Sequence, residues 1–170
     1  MEEHREWAID VHELGGRLTL AREGVLDERL GIAVQAFFAA DPLDLGTAAR
    51  VGIARRILEA RGVLELTAPE ALVEAHDRLR AWVLTERPDG TWRREVPIGS
   101  RRRSGAVDLL VESSRGPLVI DHRAFPDEPE QALVRARTHA ASLGVWAERL
   151  GGLGVVHLPV PGCVLTLRRP

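Results

Sequence analysis

The chain has 170 residues, a net charge of −2, 45% hydrophobic and 28% charged residues, which suits one globular domain with a real core and leaves too little length for two. No apolar run approaches the roughly 20 residues of a membrane span, and the opening MEEHREWAID is acidic where a signal peptide is basic and then apolar, so a cytoplasmic location is expected. The sequence has no Lys, Asn or Tyr, so its 23 basic residues are all Arg, a bias that drift in a GC-rich coding sequence produces as readily as selection.

Residues 1–28 form an N-terminal segment with little pattern, apart from a short strand expected at RLTL, Arg17–Leu20. From Glu28 to Ala40 the spacing of Leu30, Val34, Phe37 and Phe38 predicts a helix that Asp41-Pro42 stops. GTAARVGIARRILEARG predicts a second helix, ended by Gly62. APEALVEAHDRLRAWVLTE predicts a third, with Thr67 as cap, Glu70 completing a capping box, and Pro88-Asp89-Gly90 as the exit turn. Residues 29–88 are therefore the helical part of a single domain over 29–170.

After Gly90 the period changes from helical to alternating. TWRREVPI, AVDLLVES and PLVIDHRAF read as three strands separated by GSRRRSG and SRG turns. DEPEQALVRARTHAASLGVWAERLG reads as a long helix with Leu133, Ala136, Ala140, Leu143, Val145, Trp146 and Leu150 on its apolar face. GVVHLPV and CVLTLRR close the chain as strands, the second carrying Cys163 as a small hydrophobe that lacks any disulfide partner. The class is α/β or α+β, a mixed sheet preceded by helices.

In the second of these strands Ala106, Asp108 and Leu110 share one face and Val107, Leu109 and Val111 the other; in the third, Val119, Asp121 and Arg123 share a face. If Asp108 aligns with Asp121, two carboxylates project together, which costs energy unless a cation such as Mg²⁺ or Mn²⁺ lies between them. The alternative is a pair of rim acids bridged to nearby arginines. Arg93, Arg94, Arg101, Arg102 and Arg103, with Trp92 alongside, form a patch that either grips phosphates or is a solvated turn. His122 and His157 lack neighbours at metal-ligand spacing and are expected to be structural. The absence of a Gly-x-x-x-x-Gly-Lys-Ser/Thr loop leaves no nucleotide-driven motor in this stretch.

A helix followed by WRREVPI, SGAVDLLVE, GPLVIDHRAF and a helix bearing SLGVWAERL resembles the C-terminal nuclease domain of RecB and AddA helicase–nuclease subunits, in the PD-(D/E)xK superfamily. The resemblance implies a restriction-endonuclease-like sheet in βββαβ order. It also implies that Glu95 with Val96-Pro97 assists the centre, that Asp108 and Asp121 are catalytic metal ligands, and that Arg123 stands where the motif has Lys. The upstream Gly31-Ile32-Ala33-Val34-Gln35 places Gln35 where a metal-binding His is expected, and Ser142 and Trp146 fall where the closing helix has Gln and Tyr.

Both acids are thus kept while the Lys, His and Gln are replaced. Arg can offer a phosphate two parallel hydrogen bonds but cannot exchange a proton, its pKa lying above about 12. Gln35 is a weaker ligand than imidazole, and Ser142 is too short for the work of the Gln. The resemblance therefore implies a domain of DNA end processing, repair and recombination, beside a helicase motor or partner subunit, whose metal centre is impaired and which guides DNA or scaffolds a complex. The alternatives are an active Mg²⁺- or Mn²⁺-dependent exonuclease acting on linear, preferentially single-stranded, ends, and a protein-interaction module.

Overall fold

Each apolar stripe in the sequence needs a layer to bury it, and the computed structural model, which describes residues 7–21, 27–98, 105–124 and 129–170, supplies those layers with a sheet between two sets of helices. In chain order the elements are β1 (Ala8–Glu13), α1 (Glu28–Ala40), α2 (Thr47–Ala60), α3 (Pro69–Glu86), β2 (Thr91–Ile98), β3 (Gly105–Glu112), β4 (Leu118–His122), α4 (Pro129–Arg149), β5 (Leu153–Leu158) and β6 (Cys163–Arg168). The strands form one six-stranded sheet in the order β1-β6-β5-β4-β3-β2. Only β4 and β5 pair in parallel, because α4 carries the chain back between them; the other neighbours are antiparallel. No helix among the described residues is long and apolar enough to cross a membrane.

Helix α1 starts where the Asp27 carboxylate accepts the Arg29 amide, and ends at Asp41, which Pro42 holds extended. It buries Leu30, Ala33, Val34, Phe37 and Phe38, and each fully buried Phe contributes roughly 2–3 kcal/mol. Helix α3 differs from expectation at its start. Its cap is Ala68 with Pro69 as first residue and no side-chain cap bond; the Thr67 hydroxyl instead donates to the Thr19 carbonyl at 2.8 Å. A proline there removes an amide that would otherwise need a partner.

The strand expected at Arg17–Leu20 does not form. Leu18 is buried, but its amide bonds to the Pro159 and Val160 carbonyls in a loop contact, and the N-terminal strand is β1, which adds to the sheet edge beside β6. Cys163 is buried at the start of β6, as a small apolar residue would be.

One face of the sheet, with Leu110, Val119, Val156, Leu158 and Leu165, packs on Ala136, Ala140, Leu143 and Ala147 of α4. The other face, with Leu109, Val111, Leu118, Ile120, Val155 and Val164, packs on Leu79 and Val83 of α3, and α1 and α2 join α3 in a helical core around Phe37, Phe38, Leu58 and Leu72. Leu150, which its spacing assigns to the apolar face of the long helix, falls in the turn just after α4 and is exposed.

The simple alternation along β3 breaks at Asp108. Val107 packs with the α4 layer while Leu109 and Val111 pack with the α3 layer. The neighbouring strand turns over at the same level: Arg94 reaches α1, whereas Val96 packs toward α4. Between them Glu95 has φ of 48°, a left-handed conformation that re-aims the residues on either side of it. The two strands thus exchange faces at the rung that carries Glu95 and Asp108.

Candidate functional site

The hairpin that carries both acids closes through a tight turn in which Gly116, at φ 89°, returns its amide to the Ser113 carbonyl at 3.0 Å. Pairing of Leu109 with Ile120 and Leu110 with Val119 puts Asp108 on the next rung, opposite Asp121. The main-chain ladder stops at that rung, and the Asp108 carboxylate accepts the His122 amide at 2.8 Å. A side chain thereby satisfies a backbone donor that the separating strands would leave bare.

Asp121 is pushed up to about 7, first by burial and further by its hydrogen bond with Asp108, despite the neighbouring Arg123 guanidinium. Below about pH 7 the pair therefore holds one proton. Arg123 Nε donates to Asp121 Oδ2 at 2.7 Å. From α1, Gln35 Nε2 donates to the His122 carbonyl at 3.0 Å, and α1 lies close enough that a methyl on Gly31 would stand 3.6 Å from the Ala124 carbonyl oxygen. Asp108, Asp121, Arg123 and Gln35, drawn from three elements, meet around the single residue His122.

The other expected residues are placed differently. Glu95 lies opposite Asp108 by register but is exposed. Arg93 is exposed and bridges Glu112 at 3.3 Å. Arg94 is turned inward, donating to the Ala39 carbonyl at 3.0 Å and to the Asp41 carbonyl. That use of both guanidinium arms removes it from the phosphate-gripping group. Arg101, Arg102 and Arg103 lie outside the described residues. Ser142 is exposed, and Trp146 is half-buried over the start of β3, where a Cβ added to Gly105 would come within 2.8 Å of its ring.

His139, on α4, had no motif to mark it. Burial and the nearby charge of Arg123 lower its basicity. His122 and His157 are structural in the sense expected, being fully buried, but they are bonded to each other through Nδ1 at 2.9 Å. Nothing in the local sequence pairs residues 35 positions apart.

A divalent cation wants several hard oxygen donors free to turn toward it. Among the described residues no group of three His, Cys, Asp or Glu converges in that way. Asp108 already accepts an amide, Asp121 is paired with Arg123, and Gln35 points a donor and not an acceptor at the strand. These donors do not fit Mg²⁺ or Mn²⁺; the guanidinium of Arg123 is the cation beside the pair.

No protein-family model matches the chain, and no curated protein matches it.

Proposed function

We propose that this chain is a nuclease-fold domain of the RecB/AddA type whose centre no longer cleaves, and that it guides DNA or scaffolds a complex in end processing, repair and recombination. The observation that carries this reading is the contact between Arg123 and Asp121 at 2.7 Å, beside an acid pair holding one proton. It puts a fixed charge where the resemblance expects a lysine and a metal. Further support comes from the run of β2, β3 and β4, then α4, then β5, which agrees with the βββαβ order of a restriction-endonuclease-like sheet. A helicase motor or partner subunit, linear DNA ends and a cytoplasmic setting belong to the same proposal.

The test is incubation of the purified chain with end-labelled linear DNA and Mn²⁺, followed by a salt titration of binding. Intact DNA is expected, with affinity that falls as salt rises. Arg123→Ala should weaken that affinity and lower the salt slope by about one. Degradation that disappears in Asp108→Ala overturns the reading in favour of an active exonuclease. Absence of binding even at low salt overturns it in favour of a protein-interaction module.

A further inference from the structure

The rings of His122 and His157 are buried, and their Nδ1 atoms face each other at 2.9 Å. A neutral imidazole carries one N–H and one lone pair, so this contact requires one proton between the two nitrogens and fails when both carry one. His157 Nε2 is buried without a hydrogen-bond partner among the described residues. An orphaned N–H is the rarer and less favourable condition than an orphaned lone pair. The lower-energy arrangement therefore places the proton on His157 Nδ1, leaves a bare lone pair at His157 Nε2, and makes His122 Nδ1 the acceptor.

The pair is locked from several directions. Phe38 lies 5.0 Å from the His122 ring and 5.3 Å from the His157 ring, and 5.1 Å from His76. Parallel pairing sets His122 beside His157, and the Arg123 amide donates to the His157 carbonyl at 2.9 Å. The charged and titratable groups facing the pair are His76 and Arg78 from α3, Arg94 from β2 and Asp108 from β3. The peptide groups of His122 are the ones that hold Asp108 and Gln35.

We propose that His122 and His157 are a positioning pair: their one-proton contact fixes the end of β4, so that the His122 amide aligns Asp108 and the His122 carbonyl aligns Gln35. The pair touches no ligand and acts through those residues. The proposal rests on the reading that Asp108, Asp121 and Arg123 form the working centre, but its tests contain no DNA, so the two fail separately.

Long-range proton–nitrogen spectra of the ¹⁵N-labelled full chain at about pH 7.5 are expected to show the Nδ1–H tautomer at His157 and the Nε2–H tautomer at His122. The reverse assignment, or an imidazolium at either position, overturns the proposal. In His157→Leu, exchange of the His122 amide should quicken by about tenfold relative to the rest of β4 and β5. His157→Asn, whose amide occupies the place of Nδ1, should restore most of the protection. Uniform loss along both strands, or no change at His122, leaves the pair with a packing role only. If the Leu variant does not fold, the wild-type spectra and the Asn variant decide the matter.

Discussion

At Asp121 burial and a neighbouring acid oppose ionisation, while Arg123 favours it, and the first two prevail. The folded carboxyl titrates near 7 against 3.8 for the free group. Between those values the folded chain holds a proton that the unfolded chain has released, so the contribution to stability is full below about pH 4 and is lost as pH rises through 7. Asp121→Asn keeps the shape and cannot ionise. It should raise stability more at pH 8 than at pH 5, by about 1–3 kcal/mol, as read from urea denaturation at the two pH values. A larger loss at pH 8 than at pH 5 would mean that the ion pair with Arg123 outweighs burial. Arg123 is 34% exposed at its side chain, so it can turn to water, or to a phosphate, when Asp121 is altered.

At the scale of elements, Arg94 ties β2 to the end of α1 through two carbonyls, and Arg50 ties α2 to the same turn through the buried Asp41 carboxylate, at 2.7 and 2.8 Å. Arg94→Met keeps the length of the side chain but abandons both acceptors, and should cost about 1–3 kcal/mol. Arg93→Met, one residue away, removes only an exposed pair with Glu112 and should stay within about 0.5 kcal/mol. Chemical denaturation of the two variants side by side checks the contrast; equal effects would remove the clamp. The same arginines show what was legible in the sequence. Helix α1 follows from Leu30, Val34, Phe37 and Phe38 with an aspartate before and a proline after, all within one local stretch. The opposition of Asp108 and Asp121 follows from alternation and a short turn. That Arg94 reaches α1 while Val96, two residues on, packs toward α4 depends on the left-handed backbone at Glu95, which glutamate does not advertise. Strand β1 was missed because an edge strand with Val11 half exposed has no buried stripe to read. Leu18 misled because its burial comes from a loop contact.

Across the whole molecule, buried ionisable groups set a pH dependence in which the terms have different signs and windows. Burial is the first cause at His76, His122 and His157, and holds all of them below the ordinary histidine value, His122 at about 4. An unfolded chain takes up those protons near pH 6.5, so stability is full above that value and is lost as pH falls toward 4. Asp121 works the other way over the same interval, since the folded chain already carries its proton. Asp41 enters later: burial would raise it, but Arg50 and His76 override that and hold it at about 2, so its contribution is lost only as pH falls below about 4. Near pH 5 the unfolded state therefore binds histidine protons that the folded state refuses, offset in part by the one that folded Asp121 keeps. Each proton of net uptake corresponds to a fall of about 1.4 kcal/mol per pH unit. His157→Asn removes one of the protons, and the slope should become shallower by up to about 1.4 kcal/mol per pH unit. Urea midpoints measured between pH 4.5 and 7.5 on both chains provide the comparison. A wild-type profile flat through this interval would require the histidine layer to be charged inside the fold, and the contact between His122 and His157 cannot survive that.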